Sequence, residues 1–230
     1  MTDKQTLTFS RLINIASLFA LVGVLAGSLH LQFGVGEQPC PLCLVQRSAM
    51  IGLAIGPVMN LLWGVKARHY ALSILAAVVG GAASTRQDLV HIAGPNDPGY
   101  GPAVLGWHLY TWAFATFLIA VAGCAILLLW NRPLELSDQG VLHDRARSPK
   151  WLPFVAIWAI MWVFLDLVII GISVIPECGL GLCPDNPPDG VSAGNIGGWV
   201  LVLGVGAVAA AVAYLIDRRL PKTDRELLSQ

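Results

Sequence analysis

Long runs of apolar residues alternate with short polar segments along the chain, and these runs predict its architecture. Six of them are compatible with membrane-spanning helices, which need about 17 to 25 predominantly apolar residues. The third run is the weakest, because it is short and rich in Gly and Ala. We therefore predict an all-α integral membrane protein with six spans, at residues 12–33, 42–64, 70–84, 104–130, 151–175 and 197–216.

Composition indicates that lipid rather than water is the solvent for most of the chain. Of the 230 residues, 56% are hydrophobic and only 12% are charged, whereas soluble domains carry about 25% charged residues. A chain this short cannot hide so much apolar surface in a globular core. The lipid bilayer is therefore a predicted partner. Nucleic acid is not, because the sequence holds no motif for it and no Gly-rich phosphate loop.

Basic residues give the predicted orientation, since short cytoplasmic loops are enriched in Lys and Arg. With the N-terminus in the cytoplasm, all of the 14 basic residues except Arg47 and Arg86 fall on the cytoplasmic side. Six spans then leave both termini in the cytoplasm. The loops 34–41, 85–103 and 176–196 are predicted to face outward.

Most of the cysteines lie on that outer side, in or beside two of the loops. They form two close pairs, Cys40 with Cys43 and Cys178 with Cys183, while Cys124 lies inside a span. Disulfides persist in oxidising compartments such as the bacterial periplasm. Two close pairs on the oxidising side fit redox work better than random placement.

The stretch QPCPLCLVQR holds the first pair at the start of the second apolar run. Pro41 suits the first turn of a helix, so Cys43 should lie where free backbone N–H groups and the helix dipole stabilise a thiolate. Arg47 follows four residues later, on the same helix face and one turn deeper. Its guanidinium could favour the thiolate or hold a polar head group. The alternatives are a structural disulfide or half of a metal site, with Arg47 reaching to the interface.

The second pair lies in ECGLGLCPDNPPDG, between the last two apolar runs. A disulfide between Cys178 and Cys183 would close a small ring that adds little through loop-closure entropy. The surrounding Gly, Pro and Asp residues predict an exposed, mobile loop, where a dithiol can exchange with another protein. A small structural staple remains the alternative.

Other polar residues should lie at a similar outer depth. Arg86, Gln87, Asp88 and His91 emerge at the end of the third run, and His108 opens the fourth. The histidines fit either interfacial packing or hydrogen bonding to a bound carbonyl. We include His91 and His108, with Gln46 and Arg47, in a predicted cofactor-binding set; no metal site is predicted.

At CPLCLVQR the sequence resembles the disulfide bond formation protein B (DsbB) family, inner-membrane enzymes that pass electrons from thiols to quinone. The resemblance extends over about residues 10–132, and GWHLYTWAF is also similar to relatives. It implies a four-helix bundle with a ubiquinone or menaquinone head group beside the first pair. By position, Cys43 matches the cysteine that contacts quinone, and Arg47 the arginine near the quinone oxygen. Cys40 matches the cysteine that exchanges disulfides with a second periplasmic pair.

The sequence also departs from the family. Family members carry the second pair between spans three and four, but residues 85–103 contain no cysteine. We expect Cys178 and Cys183, between two additional spans, to take over exchange with a periplasmic DsbA-like thioredoxin-fold partner. The predicted organisation is a four-helix core at 1–132, a cytoplasmic linker at 133–150 and a two-helix extension at 151–230.

The working hypothesis is thus an inner-membrane thiol:quinone oxidoreductase with two cysteine pairs. One alternative is a b-type haem carrier with axial ligands such as His30 and His108. Another is a transporter or assembly protein with structural disulfides, in which the intramembrane Asp166 couples to protons.

Overall fold

The computed structural model describes residues 2–92, 103–179, 183, 190 and 192–220. In these ranges the regular structure is helical, apart from an isolated bridge between Val104 and Trp107. A π-helical turn (Leu31–Val35) extends the first helix, and a 3-10 turn (Arg145–Arg147) precedes the sixth. The α-helices are α1 (Asp3–His30), α2 (Pro41–Trp63), α3 (Ala67–Ile92), α4 (Leu109–Leu129), α5 (Asn131–Glu135), α6 (Leu152–Cys178) and α7 (Gly194–Arg219).

The first cysteine loop is fixed by the way α1 ends and α2 begins. A capping box between Thr2 and Gln5 starts α1. The π turn that extends α1 stops at Gly36, whose φ of 93° suits glycine. Cys40 is the N-cap of α2 and Pro41 its first residue, where the missing proline N–H is no loss. Only a short connection therefore separates the two helices, and the first pair lies at its end.

The helices pack as one bundle with α1 near its centre. α3 lies between α2 and α4, and α1 packs on α2 and on α6. α7 packs along α6 and reaches the π turn. A buried apolar cluster draws residues from α1, α2, α3, α4 and α6. The extension therefore shares a core with the first four long helices.

Two glycines allow close approach between neighbouring helices. A side chain at Gly80 of α3 would collide with the ring of Phe117 on α4, and one at Gly206 of α7 with the ring of Trp162 on α6. The ring occupies the space that the glycine leaves, which is how interiors reach close packing.

Five helices in the described ranges are long and apolar enough to cross a membrane. They correspond to predicted spans one, two, four, five and six. The third predicted span is α3, which is long enough but is not one of the five by composition. The sequence therefore predicted the helices correctly, while the membrane-crossing character of α3 stays a prediction.

Several predicted limits need correction, because apolar runs mark the lipid-facing part of a helix and not its polar ends. α1 begins at Asp3 rather than at residue 12, and α3 continues to Ile92, so that Arg86 lies on a helix and not in a loop. α6 continues to Cys178, which ends a helix instead of lying in the loop. Much of the loop predicted to be exposed and mobile lies outside the described residues.

The start of the fourth long helix also differs from the prediction. Val104 and Trp107 exchange backbone hydrogen bonds around a tight turn, in which Leu105 and Gly106 have positive φ. This turn is apolar in sequence and was therefore included in the predicted span, but α4 begins only at Leu109.

The segment after α4 packs against the opposite end of the bundle from the first pair. Arg11 of α1 is fully buried, and its guanidinium forms an ion pair with Asp138 at 2.5 Å. It also donates to the Ser148 hydroxyl and to the carbonyl of Asp144. These contacts tie residues 138–148 to α1.

Candidate functional site

The first cysteine pair is a disulfide at the N-terminus of α2. Cys40 and Cys43 are bonded to each other, and the N–H of Cys43 donates to the Cys40 sulfur at 3.1 Å. One of the free N–H groups at the start of the helix therefore points to the Cys40 sulfur. The sequence predicted that such groups would stabilise a thiolate on Cys43. Cys40 is 7% exposed and Cys43 is half-buried. The two sulfurs thus lie in different surroundings.

Arg47 lies on the same helix and is 8% exposed. Its Nη1 donates to the Gln32 side-chain oxygen at 2.6 Å, and its Nη2 donates to the carbonyl of Ser28 at 3.2 Å. Both acceptors belong to the end of α1 and the π turn. The guanidinium is held in place across the α1–α2 interface instead of extending to solvent.

A cavity of about 540 Å³ lies beside Cys43 and Arg47. α1 contributes Gly23 and Gly27, and α4 contributes Ala113 and Thr116. A methyl group added at either glycine would meet no atom within 4 Å. These small residues therefore leave open space between α1 and α4. The cavity is also lined by His30, Gln46, Met50, Gln87, Leu109, Tyr110, Trp112 and Trp199.

Two glutamines connect α2 and α3 next to the disulfide. Gln46 Nε2 donates to Gln87 Oε1 at 2.8 Å, and Gln87 Nε2 lies 3.3 Å from the Cys40 sulfur and 3.7 Å from the Cys43 sulfur. Gln87 is 2% exposed. The predicted ligand Gln46 thus lines the cavity and is also bonded to Gln87.

The other two predicted ligands, His91 and His108, lie behind a residue of the cavity lining and are not part of it. His91 and His108 both stack on Tyr110, with ring centroids 5.0 and 5.3 Å away. Neither histidine lines the cavity, whereas Tyr110 does. The structure therefore brings both histidines to Tyr110, which lines the cavity.

The second cysteine pair is also a disulfide. Cys178 ends α6 and is bonded to Cys183, and both residues are half-buried. The following residue, Gly179, is exposed with a φ of 59°. The second pair therefore lies at a helix C-terminus, whereas the first lies at a helix N-terminus.

The end of the α6–α7 connection is hydrogen bonded to the segment before the first pair. The N–H of Gly190 donates to the carbonyl of Gly36 at 2.8 Å, and the Ser192 hydroxyl donates to the carbonyl of Gly34 at 2.5 Å. A side chain at Gly190 would collide with Gln38, two residues before Cys40. We call this contact of residues 190, 192 and 193 with residues 33–38 the loop seam.

The sequence did not predict Gln32 or Trp199 in this site, and it predicted Gln87 only at a similar outer depth. Gln32 and Gln87 are amides within apolar surroundings, a signal that could have found both. Trp199 of α7 stacks on His30 with centroids 4.4 Å apart, and no local pattern signals that two residues so distant in sequence meet.

These observations define a class of protein, namely a multi-pass membrane protein with a disulfide beside a cavity between its long helices. The model of the family "Disulfide bond formation protein DsbB" matches residues 10–98. A disulfide bond formation protein B from Cupriavidus necator is 30% identical over 166 residues, which cover 68% of this chain and 86% of the relative. The chain belongs to the DsbB family.

Other relatives with the same description match shorter segments. The protein from Aromatoleum aromaticum is 33% identical over 103 residues, 43% of this chain. The protein from Verminephrobacter eiseniae is 44% identical over 66 residues, 29% of this chain. The matches span 62% and 37% of the lengths of these two relatives. No solved structure matches the chain.

Proposed function

We propose that the protein is a thiol:quinone oxidoreductase of the bacterial inner membrane, which reoxidises a periplasmic DsbA-like thioredoxin-fold protein. The observation that carries this proposal is the disulfide between Cys40 and Cys43, because Cys43 and Arg47 line the same intramembrane cavity. A sulfur that faces such a cavity can exchange electrons with a lipid-soluble acceptor. Family membership supports the same reaction class.

The residues of the cavity fit a quinone head group. Its volume of about 540 Å³ is within the range of about 300–1,000 Å³ that is typical of ligand sites. The lining is largely apolar, and its polar side chains include Glu37, Gln38, Gln46, Arg47 and Gln87. Arg47 would donate to a quinone oxygen, and Gly23 and Gly27 leave room for a ring. When bound, a quinone supplies an acceptor for two electrons and two protons.

The proposed topology has six spans with both termini in the cytoplasm. α3 is 26 residues long, or about 39 Å at 1.5 Å per residue, which exceeds the hydrocarbon thickness of about 30 Å. Its Leu75, Val78 and Val79 are each more than half exposed, as expected for side chains in lipid. With α3 as a span, both cysteine pairs face the periplasm.

The second disulfide is the proposed exchange site for the partner. A partner thiolate attacks one sulfur of Cys178–Cys183, forming a mixed disulfide, and the second partner thiol resolves it. The partner leaves oxidised, and two thiols remain on this chain. One of these thiols, as thiolate, attacks the Cys40 sulfur, and the electron pair of the broken bond leaves on Cys43. Cys43 is then a thiolate beside Arg47 and faces the cavity.

The proposal is tested by quinone reduction with purified full-length protein and a reduced thioredoxin-fold partner, monitored by loss of the oxidised quinone absorbance. Cys43→Ser should abolish turnover, because it removes the sulfur that faces the cavity. Cys124→Ser is the matched control, since Cys124 is unpaired and lies in a span, and it should turn over like the parent. Parent-level turnover in Cys43→Ser would contradict the proposal.

The two alternative functions gain no support from the described residues. In a haem carrier, His30 and His108 would share one iron, but His30 stacks on Trp199 and His108 on Tyr110. Asp166 is buried in α6 and does not line the cavity, so the described site assigns no proton-coupling role to it.

A further inference from the structure

We infer that Gln87, held in orientation by Gln46, stabilises the thiolate that forms when the first disulfide is opened. This inference rests on the proposed redox role of Cys40 and Cys43, and it assigns a chemical task to a residue of α3. Gln87 contacts the reacting sulfurs directly, since its Nε2 lies 3.3 Å from Cys40 Sγ and 3.7 Å from Cys43 Sγ.

The orientation of the Gln87 amide follows from its neighbours. Gln46 Nε2 donates to Gln87 Oε1 at 2.8 Å. A disulfide sulfur carries no hydrogen to donate, so only the N–H groups of Gln87, and not its Oε1, can form hydrogen bonds with Cys40 and Cys43. With Nε2 directed at the sulfurs, Oε1 accepts from Gln46 and both ends of the amide are satisfied.

Burial makes these weak contacts important once a charge appears. Gln46 is 5% exposed and Gln87 is 2% exposed, so water has little access to the amide that faces the two sulfurs. A neutral disulfide sulfur is a weak acceptor, whereas a thiolate is a strong one. The amide is thus already in position before the charge develops, which is the arrangement that stabilises a developing anion most effectively.

The chemical step balances without any further reactant. An incoming thiolate forms a bond to the Cys40 sulfur, the Cys40–Cys43 bond breaks, and its electron pair leaves on Cys43. Gln87 donates a hydrogen bond to the leaving sulfur without transferring its proton. When the mixed disulfide is resolved, the second N–H of Gln87 can donate to the Cys40 sulfur. This sulfur also accepts from the Cys43 N–H at 3.1 Å.

The test is the pH dependence of alkylation of the reduced first pair by iodoacetamide. It uses full-length protein with Cys124, Cys178 and Cys183 each replaced by serine, so that only Cys40 and Cys43 react. Gln87→Met removes the donor at similar volume and should raise the lower thiol pKa by about one unit. At a pH below that pKa, alkylation should slow about tenfold, because the thiolate fraction falls.

Two further variants keep the test decisive if Gln87→Met is unstable. Gln87→Glu introduces a carboxylate beside the sulfurs and should raise the thiol pKa more than Gln87→Met does. Gln46→Met leaves the donor but releases its orientation, and should give a smaller shift in the same direction. A thiol pKa equal to that of the parent in Gln87→Met and Gln87→Glu would overturn the inference.

Thr111→Val is the matched control. The Thr111 hydroxyl donates to Asp88 at 2.8 Å, so this change removes an α3–α4 hydrogen bond next to Gln87 without touching a sulfur. Its thiol pKa should equal that of the parent, whereas a shift like that of Gln87→Met would indicate a merely structural effect and contradict the inference. The measurement needs neither quinone nor partner. A protein that shows the expected shifts but reduces no quinone would refute the proposed function and leave the role of Gln87 intact.

Discussion

The two disulfides differ in what surrounds them. Cys40 and Cys43 lie at a helix N-terminus, next to a cavity, with Gln87 against both sulfurs. Cys178 and Cys183 lie at a helix C-terminus, where the dipole disfavours negative charge. The first environment favours a thiolate and the second opposes one. In the proposed relay, electrons that enter at the second pair therefore have a physical reason to move to the first.

The comparison also shows how far the extension is integrated with the family region. The family match ends at residue 98, yet α7 contributes Trp199 to the cavity beside Cys43. The loop seam joins the extension to the segment that precedes Cys40. The extension thus contributes a side chain to the cavity beside Cys43 and also carries the second cysteine pair.

The largest expected effect separates the two pairs by their reductant. With a protein partner, Cys178→Ser/Cys183→Ser should lose quinone reduction by about 100-fold or more, because partner exchange has no disulfide to attack. With dithiothreitol, which can reach the first pair directly, the same variant should stay within about twofold of the parent. Cys40→Ser/Cys43→Ser should lose both activities. Equal loss with both reductants in the first variant would break the division of roles.

The next effect concerns the space between α1 and α4. Gly27→Leu should raise the KM for quinone by about tenfold or more, because the added side chain fills the cavity. Gly171→Leu is the control, since a side chain at Gly171 of α6 also meets no atom within 4 Å but lies outside the cavity. Steady-state quinone titration distinguishes the two. An unchanged KM in Gly27→Leu would contradict the proposal that quinone binds in this cavity.

A smaller effect tests whether the extension forms part of the cavity. Trp199→Ala should raise the KM for quinone several-fold by removing one wall, and should leave the thiol pKa of the first pair unchanged. Trp63→Ala removes a tryptophan of similar exposure, 53% against 50%, that does not line the cavity. Equal KM values for the two variants would indicate that Trp199 of α7 does not contribute to quinone binding.

The smallest expected effect concerns the loop seam. Ser192→Ala removes the hydrogen bond to the Gly34 carbonyl and should cost about 1 kcal/mol. Partner-driven turnover should fall by at most about fivefold, while turnover with dithiothreitol should not change. Partner-driven turnover at the parent rate would show that the hydrogen bond of Ser192 is dispensable for transfer between the pairs.

Local signals in the sequence accounted for the helices and for the first pair. Pro41 after Cys40 predicted the helix start, and the four-residue spacing predicted Arg47 on the face of Cys43. Long apolar runs predicted the five membrane-capable helices of the described ranges. α3 was harder, because its apolar run is short and rich in Gly and Ala and its helix carries polar residues at both ends.

Contacts between distant segments could not be predicted in the same way. Gln87 reaches Cys40 only because α3 packs on α2, and Trp199 reaches His30 only because α7 returns to the end of α1. Such contacts depend on tertiary packing, for which one sequence has no periodic signal. His91 and His108 show that a similar depth does not fix a position, since both stack on Tyr110 instead of lining the cavity. Their role in cofactor binding stays a prediction.

The loop seam has a consequence for the kinetics of exchange. Gly190 is seven residues from Cys183, and Gly36 is four residues from Cys40. Because each residue spans at most about 3.6 Å, the two pairs share a small volume, and their effective concentration is on the order of millimolar or higher. In the proposed relay, transfer between them is therefore a first-order process, independent of how dilute the protein is in the membrane. Only the encounter with the proposed partner would be sensitive to expression level.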